Sequence, residues 1–421
     1  MIKVDFCSDD CADSVGGPYA WIQRLPPQLR RLGISVRIRL LSWQDPSSGA
    51  AFQSLKRDNF EVAAQRFQDT ASNVRWLLEQ TQPHPPDVFV ANHVVPALFA
   101  GRYLREAGIP IIGVLRSDDS FYWALYERFG LGKEQDRVNG LVCVSEFLAR
   151  KVAQRLPPAI QLRKIPSGTP VPSQTATAAQ TTLRIAYVGR MVEEQKRVLS
   201  LARALARVTR EVSGVEAFLY GDGPERPQVE RILAEEHASS VHVAGSVPNE
   251  QLQAQLLEAH AIVLLSDYEG TPIALMEGMA CGCVPVCLWI RSGIPELVEH
   301  GVTGLVVDDR GDSFVNAVRR LRMEPGLWER LSVAARARIE NGYSIESCAR
   351  RWAELLHSLH DNRGPKRPIH IPRRIKLPPP HPGFGGQDPR PHRPPFPVRF
   401  YRRARITAGR WRRRLLGQPI P

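Results

Sequence analysis

An α/β protein with two doubly wound domains, each built on a parallel sheet, is the architecture that this sequence predicts. Short runs of apolar and β-branched residues recur along the chain, and helix-length segments separate most of them. This alternation is typical of βαβ units, in which helices cover both faces of a parallel sheet. A polar stretch without apolar periodicity divides the runs into two sets, and a segment rich in proline and arginine follows the second set. The sequence therefore predicts two domains and a tail.

Six strands are predicted in each domain. Those of the first domain lie at residues 2–6, 36–41, 87–92, 110–115, 140–145 and 160–165. Those of the second domain lie at residues 183–189, 215–221, 241–245, 261–265, 283–289 and 304–307. The predicted boundaries are 1–172 for the first domain, 173–182 for a linker and 183–360 for the second domain, which are ordinary domain sizes. Because the linker consists of small and polar residues, the two domains can move as separate bodies.

The tail, residues 361–421, differs from the rest of the chain in composition. It holds 14 of the 35 prolines, and its sixteen Lys and Arg against two Asp give it a charge of +14, whereas the whole chain carries +13. We expect an extended and largely disordered segment up to about residue 398. Beyond it, apolar residues recur at helical spacing among eight arginines, which indicates an amphipathic helix at residues 399–416.

Three functions fit such a tail. An anionic membrane surface would attract its arginines and take up its aromatic residues. A tail that only improves solubility and a tail that binds RNA are the alternatives. The remainder of the chain carries a charge of −1, so nucleic acid is not an expected partner of the two domains.

The sequence also indicates a compartment. It shows neither a cleavable leader nor a membrane-spanning apolar run, so we expect a cytoplasmic protein, peripheral at the inner face of the membrane if the tail binds lipid. The seven cysteines lack the C-x-x-C spacing of a tetrahedral zinc site. We expect most of them to be small buried residues rather than metal ligands or redox groups.

Two cations follow the first strand of the second domain. Gly189 and Arg190 end that strand, and Lys196 is predicted at the start of the next helix. Ligands of open α/β sheets bind at the carboxyl ends of the strands, where helix amino termini favour anions. Arg190 and Lys196 therefore suit a diphosphate whose negative charge grows as it leaves. A pair of solvated surface charges is the alternative.

Two acids lie around a predicted helix start in residues 266–282. Glu269 is in the turn that follows a strand, Thr271 is the predicted N-cap, and Glu277 lies on the helix. Ionised carboxylates only accept hydrogen bonds, so the two acids can hold a polyol at two points. The alternatives are a surface acid for Glu277 and an acid that complements the helix dipole for Glu269.

These motifs resemble the family-four retaining glycosyltransferases (glycosyl transferases group 1), whose GT-B fold has two Rossmann-like domains facing a cleft. The parts similar to the second domain of that family are Arg190, Lys196, the Gly-Asp-Gly-Pro of residues 221–224, and Glu269 with Glu277 in the spacing E-x-x-x-x-x-x-x-E. The parts similar to its first domain are the Gly-Gly-Pro of residues 16–18, the Ser-Glu-Phe of residues 145–147 and the Ile-Pro-Ser-Gly of residues 165–168. The similarity covers about residues 1–360.

The resemblance implies an activity. It is that of a metal-independent, retaining hexosyltransferase that needs no cofactor and takes a nucleotide-diphosphate sugar as donor. A glycan or a lipid-linked sugar is the implied acceptor, in cell-surface polysaccharide or glycolipid synthesis. A catalytically silent relative that binds a ligand or scaffolds an assembly is the alternative, and an epimerase or phosphorylase of the same fold is a third hypothesis.

The resemblance also implies a role for each matched residue. Arg190 and Lys196 hold the donor diphosphate. Glu269 contacts the transferred sugar, and Glu277 binds the ribose hydroxyls. The other donor-side residues are Gly189, Gly221, Gly270, Thr271, Gly16 and Gly17. The last two let the backbone approach the phosphates and the acceptor, because glycine has no Cβ.

One loop departs from the family pattern. Many members carry a histidine after the fourth or fifth strand of the first domain, whereas residues 115–119 here are Leu-Arg-Ser-Asp-Asp. Arg116 and Asp118 of this loop are acceptor-side candidates, together with His93, for which a structural role is the alternative. Paired aspartates also occur in metal-dependent glycosyltransferases of another fold. The two-domain layout argues against that reading here, so no metal is expected.

Overall fold

The computed structural model describes residues 1–10, 17–179, 181–290 and 292–390. They form two α/β domains, each around its own parallel sheet and its own hydrophobic core. Every one of the twelve predicted strands is present, with ends that differ by at most a few residues. The predicted fold class is therefore confirmed.

The first domain holds a seven-stranded sheet. Its strands are β1 (Lys3–Asp10), β2 (Ser35–Ser42), β3 (Glu61–Arg66), β4 (Val88–Ala91), β5 (Ile111–Leu115), β6 (Gly140–Cys143) and β7 (Gln161–Lys164). Its helices up to this point are α1 (Gly17–Arg31), α2 (Ala50–Arg57), α3 (Thr70–Thr81), α4 (Val95–Glu106), α5 (Ser120–Leu125) and α6 (Glu146–Ala153). Shorter helical turns lie at Pro46–Ser48, Tyr126–Leu131 and Glu134–Asp136.

All strands of this sheet are parallel, in the order β3-β2-β1-β4-β5-β6-β7. The chain reverses its winding direction between β1 and β4, and Val4 of β1 pairs with Val36 on one side and Val88 on the other. Strand β3 was not predicted. Its residues Glu-Val-Ala-Ala-Gln-Arg lie at the sheet edge and are mostly half-exposed, so they form no apolar run.

The second domain holds a six-stranded sheet. Its strands are β8 (Leu183–Val188), β9 (Val215–Tyr220), β10 (Val241–Gly245), β11 (Ala261–Leu264), β12 (Val284–Leu288) and β13 (Leu305–Val307). The helices are α7 (Glu193–Lys196), α8 (Val198–Glu211), α9 (Arg226–Glu235), α10 (Asn249–Glu258), α11 (Ile273–Ala280), α12 (Ile294–Leu297), α13 (Asp312–Met323) and α14 (Leu327–Gly342), followed by α15 (Ile345–Asp361). The strands are parallel in the order β10-β9-β8-β11-β12-β13, so the winding reverses between β8 and β11.

Helix α15 corrects the predicted boundary at residue 360. It packs on the first domain, where Trp352 is only 1% exposed and its ring centroid lies 5.5 Å from that of Trp21. Phe6 of β1 completes this aromatic cluster at 6.2 Å from Trp352. Residues 345–361 therefore belong to the first core, because their apolar face is buried there rather than against the second sheet.

The start of the tail also differs from its prediction. Residues 362–390 contain only one short 3₁₀ segment, Pro382–Gln387, yet Ile369 and Phe384 are each only 2% exposed against the first domain. The Thr70 hydroxyl of α3 donates a hydrogen bond to Asp388 Oδ1 at 2.6 Å. The expectation of disorder was wrong for this part, because its few apolar and polar side chains find partners on the first domain. The predicted helix at residues 399–416 lies outside the described residues.

The linker contains no helix or strand in its described part, but it is attached to the second domain. The Ala176 amide donates to the Cys281 carbonyl at 2.7 Å, and Arg336 donates to the carbonyl of Gln174 at 2.8 Å. All six described cysteines are buried, as predicted. Among the helices of the described ranges, none combines the length and the apolarity needed to cross a membrane.

Candidate active site in the interdomain cleft

A cavity of about 290 Å³ lies between the carboxyl ends of the two sheets. Residues from both domains line it, and the second domain contributes most of the predicted site: Gly189, Arg190, Lys196, Glu269, Gly270, Thr271 and Glu277. The first domain contributes Arg116, Ser117, Asp119, Tyr122, Val144 and Ser167, among others. Two larger cavities, of about 420 and 570 Å³, lie at the amino ends of first-domain strands and contain none of the predicted site residues.

Lys196 and Glu269, which both line this cavity, form an ion pair. Lys196 Nζ lies 2.5 Å from Glu269 Oε1, and the two side chains are 14% and 7% exposed. Lys196 does not start the long helix as predicted. It ends the short helix α7, and Arg197, with φ of +48°, turns the chain into α8. A basic and an acidic group are thus held together where the strands β8 and β11 end.

Arg190 is the exposed cation of the site. It follows β8 directly, and its Nη2 lies 3.4 Å from the side-chain oxygen of Gln195. Within the described residues, its guanidinium makes no hydrogen bond other than this weak one. Most of its donors therefore face solvent or the cavity. Arg190 is therefore placed to meet an anionic ligand that enters the cleft.

Glu277 makes an ion pair that the sequence did not predict. Arg24 of α1 donates from Nη2 to Glu277 Oε1 at 2.5 Å, across the cleft from the first domain to the second. The side chains are 17% and 13% exposed, so water reaches the pair only in part. No spacing in the sequence indicates this partner, because α1 and α11 meet only when the two domains are in contact.

Thr271 and Gly270 also join the two domains. The Thr271 hydroxyl donates to the carbonyl of Val144 at 2.7 Å, and it makes no capping bond to α11, which begins at Ile273. The predicted N-cap role of Thr271 is therefore wrong, since its hydroxyl is used across the cleft. A Cβ at Gly270 would lie 1.8 Å from the carbonyl oxygen of Arg116, so only glycine fits this contact.

The remaining predicted glycines have different positions. Gly221 does not line the cavity. Its φ is +139°, and a Cβ there would lie 1.9 Å from the carbonyl oxygen of Gly189, so it permits close packing of the two strand ends. Gly17 is the first residue of α1. Gly16 lies outside the described residues.

His93 is not among the residues that line the cavity, although its ring centroid lies 6.3 Å from that of the lining residue Tyr122. It pairs with a buried acid. Its Nε2 is 2.9 Å from Asp9 Oδ1, and the Tyr19 hydroxyl donates to the other carboxylate oxygen at 3.1 Å. Burial raises the pKa of Asp9, but the charge and hydrogen bond of His93 and the bond from Tyr19 outweigh it and hold that pKa below its usual value. The backbone of His93 is left-handed, with φ of +51°. This conformation is unfavourable for a residue other than glycine, and the contact with Asp9 helps to stabilise it.

Arg116 and Asp118 are two residues apart in sequence, but only Arg116 lines the cavity. Arg116 lines the cavity and is 9% exposed. Asp118 does not line it, because its carboxylate accepts hydrogen bonds from Trp123 Nε1 at 2.6 Å and Lys151 Nζ at 2.8 Å. Asp119 accepts a bond from the Tyr122 amide and caps α5. In the described parts of the chain, no group of three or more His, Cys, Asp or Glu side chains is arranged to hold a metal ion.

Two family descriptions match the chain, one for each domain. Residues 15–171 match Glycosyltransferase Family 4, and residues 182–323 match Glycosyl transferases group 1. The amylovoran biosynthesis glycosyltransferase AmsK of Erwinia amylovora is 34% identical over 192 residues, which is 43% of this chain and 46% of AmsK. A GDP-mannose-dependent phosphatidylinositol monomannoside mannosyltransferase of Mycobacterium tuberculosis is 28% identical over 282 residues, 62% of this chain and 69% of that protein. The chain thus spans about half the length of AmsK.

Solved structures agree on the fold. Anabaena HepE in complex with UDP and glucose has a TM-score of 0.66 and 18% identity, over 85% of this chain and all of HepE. A TarM mutant from S. aureus, solved with UDP, has a TM-score of 0.69 and 12% identity, over 85% of this chain and all of TarM. The two family matches together cover both domains and their cleft. The chain therefore belongs to the family-four, group 1 glycosyltransferases with the GT-B fold.

Proposed function

We propose that this protein is a retaining glycosyltransferase that moves a sugar from a nucleotide-diphosphate sugar to a glycan or lipid-linked acceptor. The observation that carries the proposal is that Arg190, the Lys196–Glu269 pair and Glu277 line one and the same cavity. AmsK is named for amylovoran biosynthesis and the mycobacterial mannosyltransferase for a phosphatidylinositol monomannoside, which supports a role in cell-surface polysaccharide or glycolipid synthesis.

The cations of the cavity stabilise the leaving group. When the bond between the sugar C1 and the diphosphate oxygen breaks, the diphosphate leaves with the electron pair. Arg190 follows β8 and Lys196 ends α7, and both line the cavity. In this proposal the charge of the leaving diphosphate develops beside them, so they stabilise the transition state more than the bound donor. No metal ion is required in this proposal, because the protein itself supplies two cations there.

The two acids hold the sugar and the nucleoside. Glu269 accepts hydrogen bonds from hydroxyls of the transferred sugar, and Glu277 accepts them from the ribose. The acceptor oxygen forms its new bond to C1 on the face that the diphosphate leaves, and its proton passes to the departing diphosphate. This arrangement retains the anomeric configuration. The acceptor enters from the first domain, near the Asp9–His93 pair.

A ligand screen tests the proposal. Thermal stabilisation is measured with UDP, GDP, ADP and dTDP, and with the corresponding monophosphates as matched controls. At 100 times its dissociation constant, a diphosphate that binds only the folded protein adds about 2.7 kcal/mol of stability. The monophosphates are expected to stabilise less, because they lack the phosphate that Arg190 and Lys196 hold. The proposal fails if no nucleoside diphosphate stabilises the protein.

A further inference from the structure

Arg116 is a buried cation whose guanidinium is fixed in place with one nitrogen unused. Its Nε donates to Asn92 Oδ1 at 2.8 Å, and its Nη1 donates to Ser167 Oγ at 3.0 Å. One face of the group lies 4.3 Å from the ring centroid of Trp21. The remaining nitrogen, Nη2, is buried and has no hydrogen-bond partner among the described residues. The neighbouring groups thus orient Arg116 but leave one donor for a ligand.

No described carboxylate neutralises this cation. None of the described acids has an oxygen within the 4.0 Å of an ion pair with Arg116, and Asp9, whose charge acts on it, is already paired with His93. Burial lowers the pKa of Arg116 to about 10, so the group is still charged at neutral pH. A buried charge without a counter-ion is unfavourable.

The position of Arg116 separates it from the cations proposed to hold the diphosphate. Arg190 and Lys196 belong to the second domain, whereas Arg116 follows β5 of the first domain. Its carbonyl packs against Gly270, the residue directly after Glu269. Arg116 therefore lines the cavity next to the turn that carries the acid proposed to hold the transferred sugar.

We propose that Arg116 binds a carboxylate on the transferred sugar, so that the donor is a nucleotide-diphosphate hexuronic acid. This inference rests on the proposed function. A carboxylate supplies the missing counter-ion and accepts a charge-assisted hydrogen bond from Nη2. A neutral hexose would enclose the cation without neutralising it. The planar fork that Asn92 and Ser167 hold also gives the recognition a fixed direction, which a lysine ammonium would not provide.

Matched donors that differ only at C6 test the inference. Titration calorimetry compares UDP-glucose with UDP-glucuronate, UDP-galactose with UDP-galacturonate, and GDP-mannose with GDP-mannuronate, using the pairs that carry the base preferred by the wild-type protein. One charge-assisted hydrogen bond corresponds to an affinity ratio of about 10- to 100-fold. We expect the acid of at least one pair to bind at least about tenfold more tightly than its neutral partner.

Two substitutions assign the preference to this residue. Arg116→Gln is expected to reduce the ratio between acid and neutral donor to within about twofold, and to leave the affinity for the bare nucleoside diphosphate unchanged. Arg203→Gln removes the same charge from an exposed position on α8 and should keep the wild-type ratio. Circular dichroism and the melting temperature of each variant report separately that it is folded.

Three results would overturn the inference. Equal affinity of the wild-type protein for both members of every tested pair would refute it without any variant, while the proposed function would stand. Equal losses of affinity for the bare diphosphate and for the uronate in Arg116→Gln would place the guanidinium on the diphosphate instead. If no nucleoside diphosphate binds the wild-type protein, the proposed function and this inference fail together.

Discussion

The proposed division of the donor between Glu277 and Glu269 gives the sharpest test of the site. Glu277→Gln removes the charge that is proposed to accept hydrogen bonds from the ribose, and Glu269→Gln removes the one proposed to face the sugar. Both changes keep the size of the side chain. Each keeps one acceptor oxygen, so the variants report the loss of charge rather than a cavity.

The magnitude follows from the contacts of the two acids. Glu277 uses Oε1 for Arg24, which leaves the other oxygen and further lone pairs for the ribose. Loss of one hydrogen bond to a charged group corresponds to about 1.5–3 kcal/mol, or a rise in Kd of about 10- to 100-fold. Glu269 is paired with Lys196 and is proposed to face the transferred sugar rather than the nucleotide. Removal of its charge should therefore change the Kd of the bare nucleoside diphosphate by less than about threefold.

Calorimetry with the bare nucleoside diphosphate and steady-state transfer assays measure the two effects. Glu277→Gln should weaken nucleotide binding, and Glu269→Gln should mainly lower turnover. Glu235→Gln, at an exposed position of α9, is the matched control and should behave as the wild type. Equal losses of nucleotide affinity in Glu277→Gln and Glu269→Gln would refute the division.

Three further predictions concern charges around the cleft and the tail. Arg190→Ala and Lys196→Ala should each lower kcat about 100- to 1,000-fold, because each removes a positive charge that is proposed to stabilise the leaving diphosphate. Near-normal turnover in the folded variants would contradict the assignment. Arg24→Met should weaken nucleoside diphosphate binding by about two- to fivefold in calorimetry, because its partner carboxylate loses the group that fixes it; an unchanged Kd would show that the interdomain pair is not used in binding. The full chain should co-sediment with anionic vesicles, and salt should weaken this binding. Removal of residues 391–421 should abolish the co-sedimentation and leave thermal stability unchanged. Equal binding of the full chain to neutral vesicles would contradict a membrane tail.

The end point of this truncation, residue 390, is chosen from the structure rather than from composition. A cut after Asp361 would also remove Ile369 and Phe384, which are buried on the first domain. Burial of two such side chains stabilises by about 3–6 kcal/mol, so the shorter protein would lose stability for a reason unrelated to lipid.

Much of the fold was predictable because buried parallel strands form continuous apolar runs. Strand β3 was not, since an edge strand buries little and Gln65 and Arg66 interrupt any pattern. Helix α15 was placed in the wrong domain for a different reason. Its apolar stripe shows that the helix packs on something, but the spacing is the same whichever sheet receives Trp352.

The candidate site also has a part that was predictable from the sequence and a part that was not. The sequence placed Arg190 and Glu269 after strands of one parallel sheet, whose carboxyl ends share one edge. The structure adds that these strands, β8 and β11, are neighbours. The partners that come from the other domain were not predictable. Arg24 reaches Glu277, and Arg116 packs on Gly270, only through the docking of two separately folded units, which no local spacing encodes.

The stereochemistry of transfer without metal tests the central proposal most directly. The protein is freed of metal with excess EDTA and given the donor that stabilises it, with an acceptor analogue, and the anomeric configuration of the product is followed by proton NMR from the first turnovers. The account predicts a product with the anomeric configuration of the donor, formed at the same rate with and without EDTA. An inverted product, or transfer that occurs only after magnesium or manganese is added, would contradict it.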